Sequence, residues 1–293
     1  MFGDFEGRLE EVSCPICQPP PPPRLIFRTR EHIGIWQCPG CRILYASPRF
    51  DEPSLLRIYE NEAFMLDTSA YEHWSRESWA ARNDRTWIVP NLKVQLVKRF
   101  LAPGDRVLDV GCATGEFCLA ALSGGLKSEG IDVSEMLTDI ARDVLKAPVR
   151  RIDVESFFPD YRFQGIVIWD VLEHVYDPVR TLRACHRLLE PGGYLFAQVP
   201  NSRGLSNALK SLACRAGVRN GDYRHFGFPY HVYSCNRTSL SALMHAAGFE
   251  AFHFESWPAR LKDGRRGAFV DLLVSAARTY CLSDYIIVVA RKT

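Results

Sequence analysis

The sequence predicts an α/β protein in which a doubly wound sheet of seven strands follows a small module with four cysteines. Two observations support this prediction. From residue 105 onwards, short apolar runs alternate with helical segments, the pattern of a parallel sheet covered by helices on both faces. Near the start, the motifs CPIC and CPGC place two cysteine pairs on either side of a short stretch. We therefore expect one large domain and a small appendage.

Composition and charge limit the possible functions. The 293 residues are 47% hydrophobic, which suffices for one large core. The formal net charge of +2 provides no strong field for nucleic acid, which is therefore an unfavoured partner. No stretch approaches the roughly 18–20 apolar residues of a transmembrane helix, and the start MFGDFEG carries acids where a signal peptide carries basic residues. We expect a cytoplasmic protein.

The cysteine module, residues 1–48, has the spacing of a zinc ribbon. In such a ribbon each CxxC turn presents two thiolates to one tetrahedral Zn²⁺. The segments RLIFRTR and IGIWQ, between the two pairs, are predicted to form two short strands. Because sulfur fills all four positions, the expected zinc is structural; four unliganded thiols and a redox pair are the alternatives. The predicted ligands are Cys14, Cys17, Cys38 and Cys41.

Residues 49–101 are rich in charged and aromatic residues with helical spacing. This pattern predicts helices near 52–62, 70–85 and 90–101, which connect the module to the sheet. The same helices are candidates for the roof of a pocket, with Tyr59, Tyr71 and Trp74 as its aromatic residues, although core packing is the commoner use of such residues.

The sheet domain is predicted to span residues 102–293. Its seven strands lie in the segments RVLDV, KSEGIDV, PVRRIDV, GIVIWDV, YLFAQVP, FEAFHFES and YIIVVARK. A doubly wound sheet binds its ligand beyond the carboxyl ends of its strands, at the switch point. The glycine turn after the first strand marks that place.

The turn VLDVGCATG favours a ligand with a carboxylate and no pyrophosphate. Gly111 and Gly115 let the backbone approach a ligand, and the following helix N-terminus favours negative charge. This spacing differs from the G-x-G-x-x-G of dinucleotide-binding proteins and leaves fewer backbone openings for a pyrophosphate.

Two acidic residues follow the next strands. Asp132 comes 21 residues after Gly111, the distance at which an acid accepts from both hydroxyls of a ribose. Capping of the next helix is the alternative, although Ser134 is better placed for it. Asp153 repeats the geometry one strand later and is a candidate for an adenine amino group, with capping again as the alternative.

A carboxylate, a ribose and an adenine together describe S-adenosylmethionine. Over residues 100–293 the chain resembles the class I S-adenosylmethionine-dependent methyltransferases, which have a Rossmann-like sheet. The resemblance rests on VLDVGCATG, GIDVS, DVES, WDVLEHVYDP, LLEPGGYLFAQVPN and YIIVVARK in that order. It implies a methionine site at Asp109, Gly111, Cys112 and Gly115, a ribose site at Asp132, an adenine site at Asp153 and Val154, and a lining of the methyl group's exit by Trp169 and Asp170.

The CPIC and CPGC motifs, followed by ILYASP, resemble the zinc module that precedes sugar-modifying and natural-product methyltransferases. Sugar C-methyltransferases with this module have a further carboxy-terminal domain and a glutamate before a catalytic histidine. Here Tyr230 precedes His231, and the chain ends after the seventh strand. This departure favours transfer to a hydroxyl oxygen of a small molecule or saccharide, with sugar C-methylation as an alternative.

A methyl transfer to oxygen needs a base for the hydroxyl proton. His231 in FPYHVYS and His174 in LEHV are the candidates, because both lie on loops near the expected pocket and imidazole titrates near neutrality. His231 is the first choice, and a purely structural role is the alternative for either histidine.

An insertion at about 202–230 is predicted to form a lid over the acceptor. Within it, the helix 203–216 places Leu205, Leu209 and Leu212 on one face and basic residues elsewhere, so contact with a membrane surface is a second interpretation. An RNA methyltransferase that docks RNA on its zinc ribbon, and a non-catalytic scaffold, are the remaining alternatives. The sequence does not indicate an oligomeric state.

Overall fold

A computed structural model of the chain describes residues 7–29, 32–60, 88–215, 231–258 and 279–293. The predicted helix near 70–85, with Tyr71 and Trp74, lies outside the described residues, as does the second half of the predicted lid. In the described part of the chain, none of the helices has the length and apolar character needed to cross a membrane.

The cysteine module and the two residues that follow it contain five short strands. They are β1 (Leu9–Glu10), β2 (Arg24–Arg28), β3 (Gly34–Gln37), β4 (Leu44–Ser47) and β5 (Arg49–Phe50). Strands β2, β3 and β4 form an antiparallel meander, and β1 pairs with β5. Both strands predicted between the cysteine pairs are present, as β2 and β3.

The helices connect the module to the large sheet and cover that sheet. They are α1 (Glu52–Glu60), α2 (Ile88–Val97), α3 (Glu116–Ser123), α4 (Glu135–Asp139, continued by a π-helical turn over Ile140–Val144), α5 (Pro178–Leu188), α6 (Leu205–Arg215) and α7 (Arg237–Ala246). The predicted connector helices near 52–62 and 90–101 correspond to α1 and α2.

The large sheet has seven strands, as predicted. They are β6 (Arg106–Val110), β7 (Lys127–Asp132), β8 (Val149–Arg151), β9 (Phe163–Trp169), β10 (Leu189–Pro200), β12 (Phe249–Trp257) and β13 (Tyr285–Lys292). Their spatial order is β12-β13-β10-β9-β6-β7-β8. Strands β8, β7, β6, β9 and β10 run parallel, and β13 is antiparallel to both of its neighbours.

The alternation of side chains along the central strands explains why both faces of this sheet are covered. Ile166 and Ile168 of β9 pack into one hydrophobic core, while Val167 and Trp169 pack into a second core on the opposite face. Successive side chains of a strand point to opposite faces, so an unbroken apolar strand needs cover on both sides. The resulting sheet is Rossmann-like and mostly parallel.

Helix α5 fixes the loop that leaves β9. Asp177 accepts from the backbone N–H groups of Val179 and Arg180, both at 3.0 Å, and Pro178 occupies the first turn. An acidic N-cap followed by proline is a strong helix start. The loop 170–176 is therefore held between β9 and a capped helix.

A two-residue strand, β11 (Tyr233–Ser234), joins the module to the large domain. It pairs antiparallel with β4, so the module's sheet has the order β11-β4-β3-β2. His231 lies two residues before Tyr233. The cysteine module thus shares a sheet with the segment that carries the first-choice base.

Candidate functional site

The glycine turn after β6 brings the chain against the loop that leaves β9. Gly111 has a φ of +71°, and a Cβ there would lie 2.4 Å from Val171 Cγ2. Gly115 has a φ of +77°, and its Cβ would lie 2.7 Å from Ala147 Cβ. Both conformations suit glycine and penalise larger residues. The turn therefore packs closely on its neighbours.

Asp132 ties the end of β7 to the glycine turn. The backbone N–H of Ala113 donates to its Oδ2 at 2.8 Å, and that of Ser134 donates to Oδ1 at 2.9 Å. Burial raises the pKa of Asp132, and these backbone hydrogen bonds oppose the rise. Ser134 is the cap of α4, since its hydroxyl accepts from Leu137 N–H. The Asp132 side chain thus contacts the glycine turn, and Ser134 caps α4, so a ribose role for Asp132 stays a prediction.

Asp153 lies one strand further along and is exposed. Its Oδ1 accepts from the backbone N–H groups of Glu155 at 2.9 Å and Ser156 at 2.8 Å. Val154, which directly follows Asp153, is buried. These hydrogen bonds close a turn and do not cap a helix, and the adenine role of Asp153 stays a prediction.

Asp109 lies beneath the glycine turn and is 3% exposed. Burial raises its pKa to about 7, and the positive charge of Lys93 opposes the rise. Cys118 lies with its sulfur 3.8 Å from Asp109 Oδ2, and its hydrogen bond with Cys112 raises the pKa of Cys112. A buried acid and two buried thiols thus support the turn from below.

Asp170 directly follows β9 with a φ of +58°. The side-chain amide of Gln198 donates to both of its carboxylate oxygens, at 2.9 and 2.7 Å, and Lys93 Nζ lies 3.7 Å from Oδ2. Lys93 also lies 5.0 Å from the centre of the Trp169 ring, which packs on Phe117. The carboxylate is therefore held in one orientation at the carboxyl edge of the sheet.

Three buried polar atoms at this edge have no hydrogen-bond partner among the described residues. They are Thr114 Oγ1, Trp169 Nε1 and Gln198 Oε1. An unsatisfied buried polar group costs about 1–3 kcal/mol, which a ligand with matching groups would recover. Together with Asp132 and the glycine turn, these atoms fit a polar ligand such as S-adenosylmethionine.

The two candidate bases lie together. The ring centres of His174 and His231 are 4.6 Å apart, with the rings nearly perpendicular at 81°. Glu173 is buried beside them, and one side-chain nitrogen or oxygen atom from each of the three residues lies within 4.8 Å of those of the other two. Burial, and then the charge of Asp170, raise the pKa of Glu173 well above its usual range. Such a cluster can move a proton, and it is also compact enough to bind a divalent cation.

The four cysteine sulfurs of the module converge on one point. The Sγ atoms of Cys14 and Cys41 are 3.5 Å apart, and those of Cys17 and Cys38 are 3.7 Å apart. Tetrahedral Zn²⁺ with Zn–S bonds of about 2.3 Å separates its sulfurs by about 3.8 Å, so the cluster fits that ion. The backbone N–H groups of Ile16 and Cys17 also point at Cys14 Sγ, both at 3.4 Å.

Sequence reasoning missed three residues that shape this region. Lys93 and Gln198 orient Asp170, and Arg49 of β5 contacts the residues that follow the two histidines. Lys93 has one sequence signal, since it is a lone charge in the apolar helix IVPNLKVQLV. The other two depend on contacts between distant parts of the chain.

The family comparison agrees with the geometry. Residues 72–253, more than half of the chain, match a family model described as "Methyltransferase domain". The ubiquinone biosynthesis O-methyltransferase of Pseudomonas aeruginosa (strain LESB58) is 31% identical over 149 residues, which are 48% of this chain and 62% of that protein. The protein of the same name from Coxiella burnetii is 38% identical over 156 residues, 51% of this chain and 65% of that protein. The chain thus spans less than two thirds of these two relatives.

Two solved structures illustrate the same architecture. A SAM-dependent methyltransferase from Archaeoglobus fulgidus has a TM-score of 0.52 at 17% identity and covers 79% of this chain and 100% of its own. A possible histamine N-methyltransferase from Thermotoga maritima has a TM-score of 0.51 at 20% identity and covers 82% and 100%. At these identities the likeness concerns the fold alone. The chain therefore belongs to the methyltransferase domain family and has the fold of the class I S-adenosylmethionine-dependent methyltransferases.

Proposed function

We propose that the protein transfers the methyl group of S-adenosylmethionine to a hydroxyl oxygen of a small molecule or saccharide. The observation that carries this proposal is the convergence of His174, His231 and Glu173 beside the glycine turn. Val171, whose side chain contacts Gly111, is only two residues before Glu173. A group able to accept a proton thus lies next to the expected cofactor site. The O-methyltransferase names of the curated relatives favour oxygen as the acceptor atom.

In this proposal the residues of the carboxyl edge hold the cofactor, whose sulfonium supplies an electrophilic methyl group. Asp132 accepts from the ribose hydroxyls, using the lone pairs that its two backbone hydrogen bonds leave. The turn at Gly111 and Gly115 would hold the methionine portion, and Trp169 and Asp170 would line the exit of the methyl group.

His231 takes the proton of the acceptor hydroxyl, and the buried Glu173 lies beside it. Both histidines are partly exposed, whereas Glu173 is buried, so the imidazoles are the groups that an acceptor can reach. A positioned base contributes roughly 10²–10⁴ in rate. His174 is the second candidate for this role.

The four cysteines hold a structural Zn²⁺ in this proposal. Their sulfurs occupy all four tetrahedral positions, which leaves no position for a substrate. The ion's part is to hold the two turns of the module together, and through β4 it supports β11 and the His231 segment.

The proposal is tested by screening hydroxyl-bearing small molecules and saccharides for methyl transfer from labelled S-adenosylmethionine. With an active acceptor, His231→Ala is expected to lower kcat by about 10²–10⁴ while cofactor affinity stays unchanged. His245→Ala, on the exposed surface of α7, is the matched control and should keep full activity. Full activity in both His231→Ala and His174→Ala would overturn the base assignment.

A further inference from the structure

Arg49 is a buried cation at the junction of the cysteine module and the large domain. It is 6% exposed and belongs to β5, which follows the last strand of the module's meander. Among the described residues, no carboxylate lies within salt-bridge distance of its guanidinium. A buried charge is costly unless other groups compensate it. Its partners therefore show what this arginine does.

The guanidinium lies between two tyrosines. Nη1 donates to Tyr233 Oη at 2.6 Å, and Nη2 donates to the backbone carbonyl of Tyr176 at 2.9 Å. The guanidinium carbon lies 4.5 Å from the centre of the Tyr176 ring and 5.2 Å from that of Tyr233. Tyr233 Oη also donates to the Tyr176 carbonyl, at 2.9 Å. Two hydrogen bonds and two cation–π contacts thus offset part of the cost of burying the charge, while Arg49 Nε has no partner among the described residues.

The positions of these two tyrosines in the sequence relate the Arg49 contact to the two histidines. Tyr176 follows His174 by two residues, and Tyr233 follows His231 by two residues. Arg49 therefore joins the two separate loops that carry the two histidines.

A backbone ladder runs beside this contact. Val232 N–H donates to the carbonyl of Glu173 at 2.8 Å, and Ala46 N–H donates to the carbonyl of Val232 at 3.1 Å. These bonds hold the His231 segment against Glu173. At the Tyr176 end, Arg49 acts together with Tyr233 Oη, which donates to the same carbonyl, and with Tyr176 Oη, which donates to Glu10 Oε1 at 2.6 Å. Among these groups, the Arg49 side chain is the one that contacts both tyrosines from β5.

We propose that Arg49 is a positioning residue for methyl transfer, which holds the His174 and His231 loops in register from the strand that directly follows the cysteine module. This inference rests on the proposed function, because it assigns Arg49 to the alignment of that reaction's base. A lysine keeps the charge but cannot donate to both tyrosines in a fixed fork, so it replaces arginine only in part.

The test compares Arg49→Met and Arg49→Lys with Arg24→Met, an exposed arginine of β2 in the cysteine module. In the full chain, Arg49→Met is expected to lower kcat by about 10–100-fold, since a misplacement of about 1 Å can cost 10²-fold. The KM and Kd for S-adenosylmethionine should change less than twofold. Arg49→Lys should fall between Arg49→Met and the wild type, and Arg24→Met should match the wild type.

Histidine-labelled NMR spectra supply a readout that does not depend on turnover. Arg49→Met should shift the imidazole signals of His174 and His231, assigned with their alanine variants, and leave that of His245 in place. Unchanged signals, or a folded Arg49→Met with full kcat, would overturn the inference. Failure of both Arg49 variants to fold would also overturn it, because the residue would then be structural. A wild-type protein that binds cofactor but methylates no acceptor refutes the proposed function instead, and the spectra still report on Arg49.

Discussion

Gly111 lies where the chain turns from β6 towards α3 and where Val171 presses on the turn. A side chain at position 111 would destabilise the fold in two ways. The backbone is left-handed, and the added Cβ would lie 2.4 Å from Val171 Cγ2. We predict that Gly111→Ala destabilises the protein by more than the left-handed conformation alone would, and that it abolishes S-adenosylmethionine binding. Gly125 separates the two penalties, since its φ is +87° but nothing lies within 4 Å of an added Cβ.

Gly125→Ala should therefore cost only about 1–2 kcal/mol and keep cofactor binding. Gly111→Ala should exceed it by about 1–3 kcal/mol from overpacking. Urea unfolding and calorimetry with the cofactor measure both quantities. Equal losses in the two variants would contradict the close packing of the turn on Val171.

The buried carboxyl of Asp109 predicts a pH dependence of stability. Its pKa is about 7 in the folded protein and 3.8 as a free side chain, so between these values the folded state holds a proton that the unfolded state has released. Its contribution to stability is therefore complete below about pH 4 and is lost as the pH rises through 7, at no more than about 1.4 kcal/mol per pH unit.

Asp109→Asn removes this contribution. The free energy of unfolding of the wild type should therefore fall relative to the variant between pH 5 and pH 7.5, as measured by urea denaturation across that range. If the cysteine module binds zinc, its loss at low pH would affect both proteins alike. Parallel curves would show that Asp109 titrates normally in the folded state.

The position of a single residue could be predicted from sequence where it depends only on one strand and the turn that follows that strand. Asp132 follows this rule, since its distance from Gly111 already put it at the edge of the sheet. Lys93 and Gln198 do not, because their contacts with Asp170 depend on how α2 and β10 pack. The carboxylate of Asp153 could be given two roles from sequence, and only the structure showed its two backbone hydrogen bonds.

At the scale of elements, the cysteine module predicts a defined metal content. We expect about one zinc per chain in metal-free buffer, measured by mass spectrometry of the purified protein. Cys38→Ser should lose this zinc, because three sulfurs bind the ion less tightly than four. Cys185→Ser, at a buried cysteine of α5, is the control and should retain it.

The same variant tests what the module does. Because β4 pairs with β11, Cys38→Ser should lower acceptor turnover while S-adenosylmethionine affinity stays within about twofold. A wild-type protein without zinc, or a Cys38→Ser variant with full zinc, would contradict the assignment.

Helix α6 presents an apolar face at the carboxyl edge of the sheet. Leu205, Leu209 and Leu212 are 58%, 59% and 62% exposed, and Leu205 N–H donates to the carbonyl of Leu282. We predict that this face closes on the acceptor as part of the lid. Leu209→Glu should then raise the acceptor KM by about tenfold, since burial of one leucine contributes about 1.5–3 kcal/mol.

Leu122→Glu, on the exposed surface of α3, is the control for an added charge. An unchanged KM in Leu209→Glu would contradict the lid. Flotation of the wild type with anionic vesicles at low salt, lost in Leu209→Glu, would assign the face to a membrane surface instead.

At the scale of the whole molecule, the sheet was predictable and the joint between the domains was not. Most large-sheet strands are apolar runs that the local sequence reveals, whereas β7 and β8 carry several charged residues. The two-residue strand β11 pairs with β4, which is far away in the sequence, and no local sequence pattern predicts this pairing. Arg49 shares this difficulty, because its partners Tyr176 and Tyr233 come together only in the fold.

This joint implies separate roles for the cysteine module and the large domain. In the proposed mechanism the glycine turn and Asp132 hold the cofactor at the large sheet, whereas β11 and Arg49 connect the cysteine module to the histidine segments. Changes in the module should therefore affect turnover, and changes at the turn should affect cofactor binding.

The most direct test of the central claim follows the methyl group itself. S-adenosylmethionine with a ¹³C-labelled methyl group is incubated with the protein and each acceptor, and NMR of the product identifies the atom that receives the carbon. We expect the ¹³C methyl group on an oxygen atom of the acceptor. With His231→Ala, this methylated product should no longer form. A methyl group on carbon, or no transfer to any acceptor by a protein that binds the cofactor, would contradict this expectation.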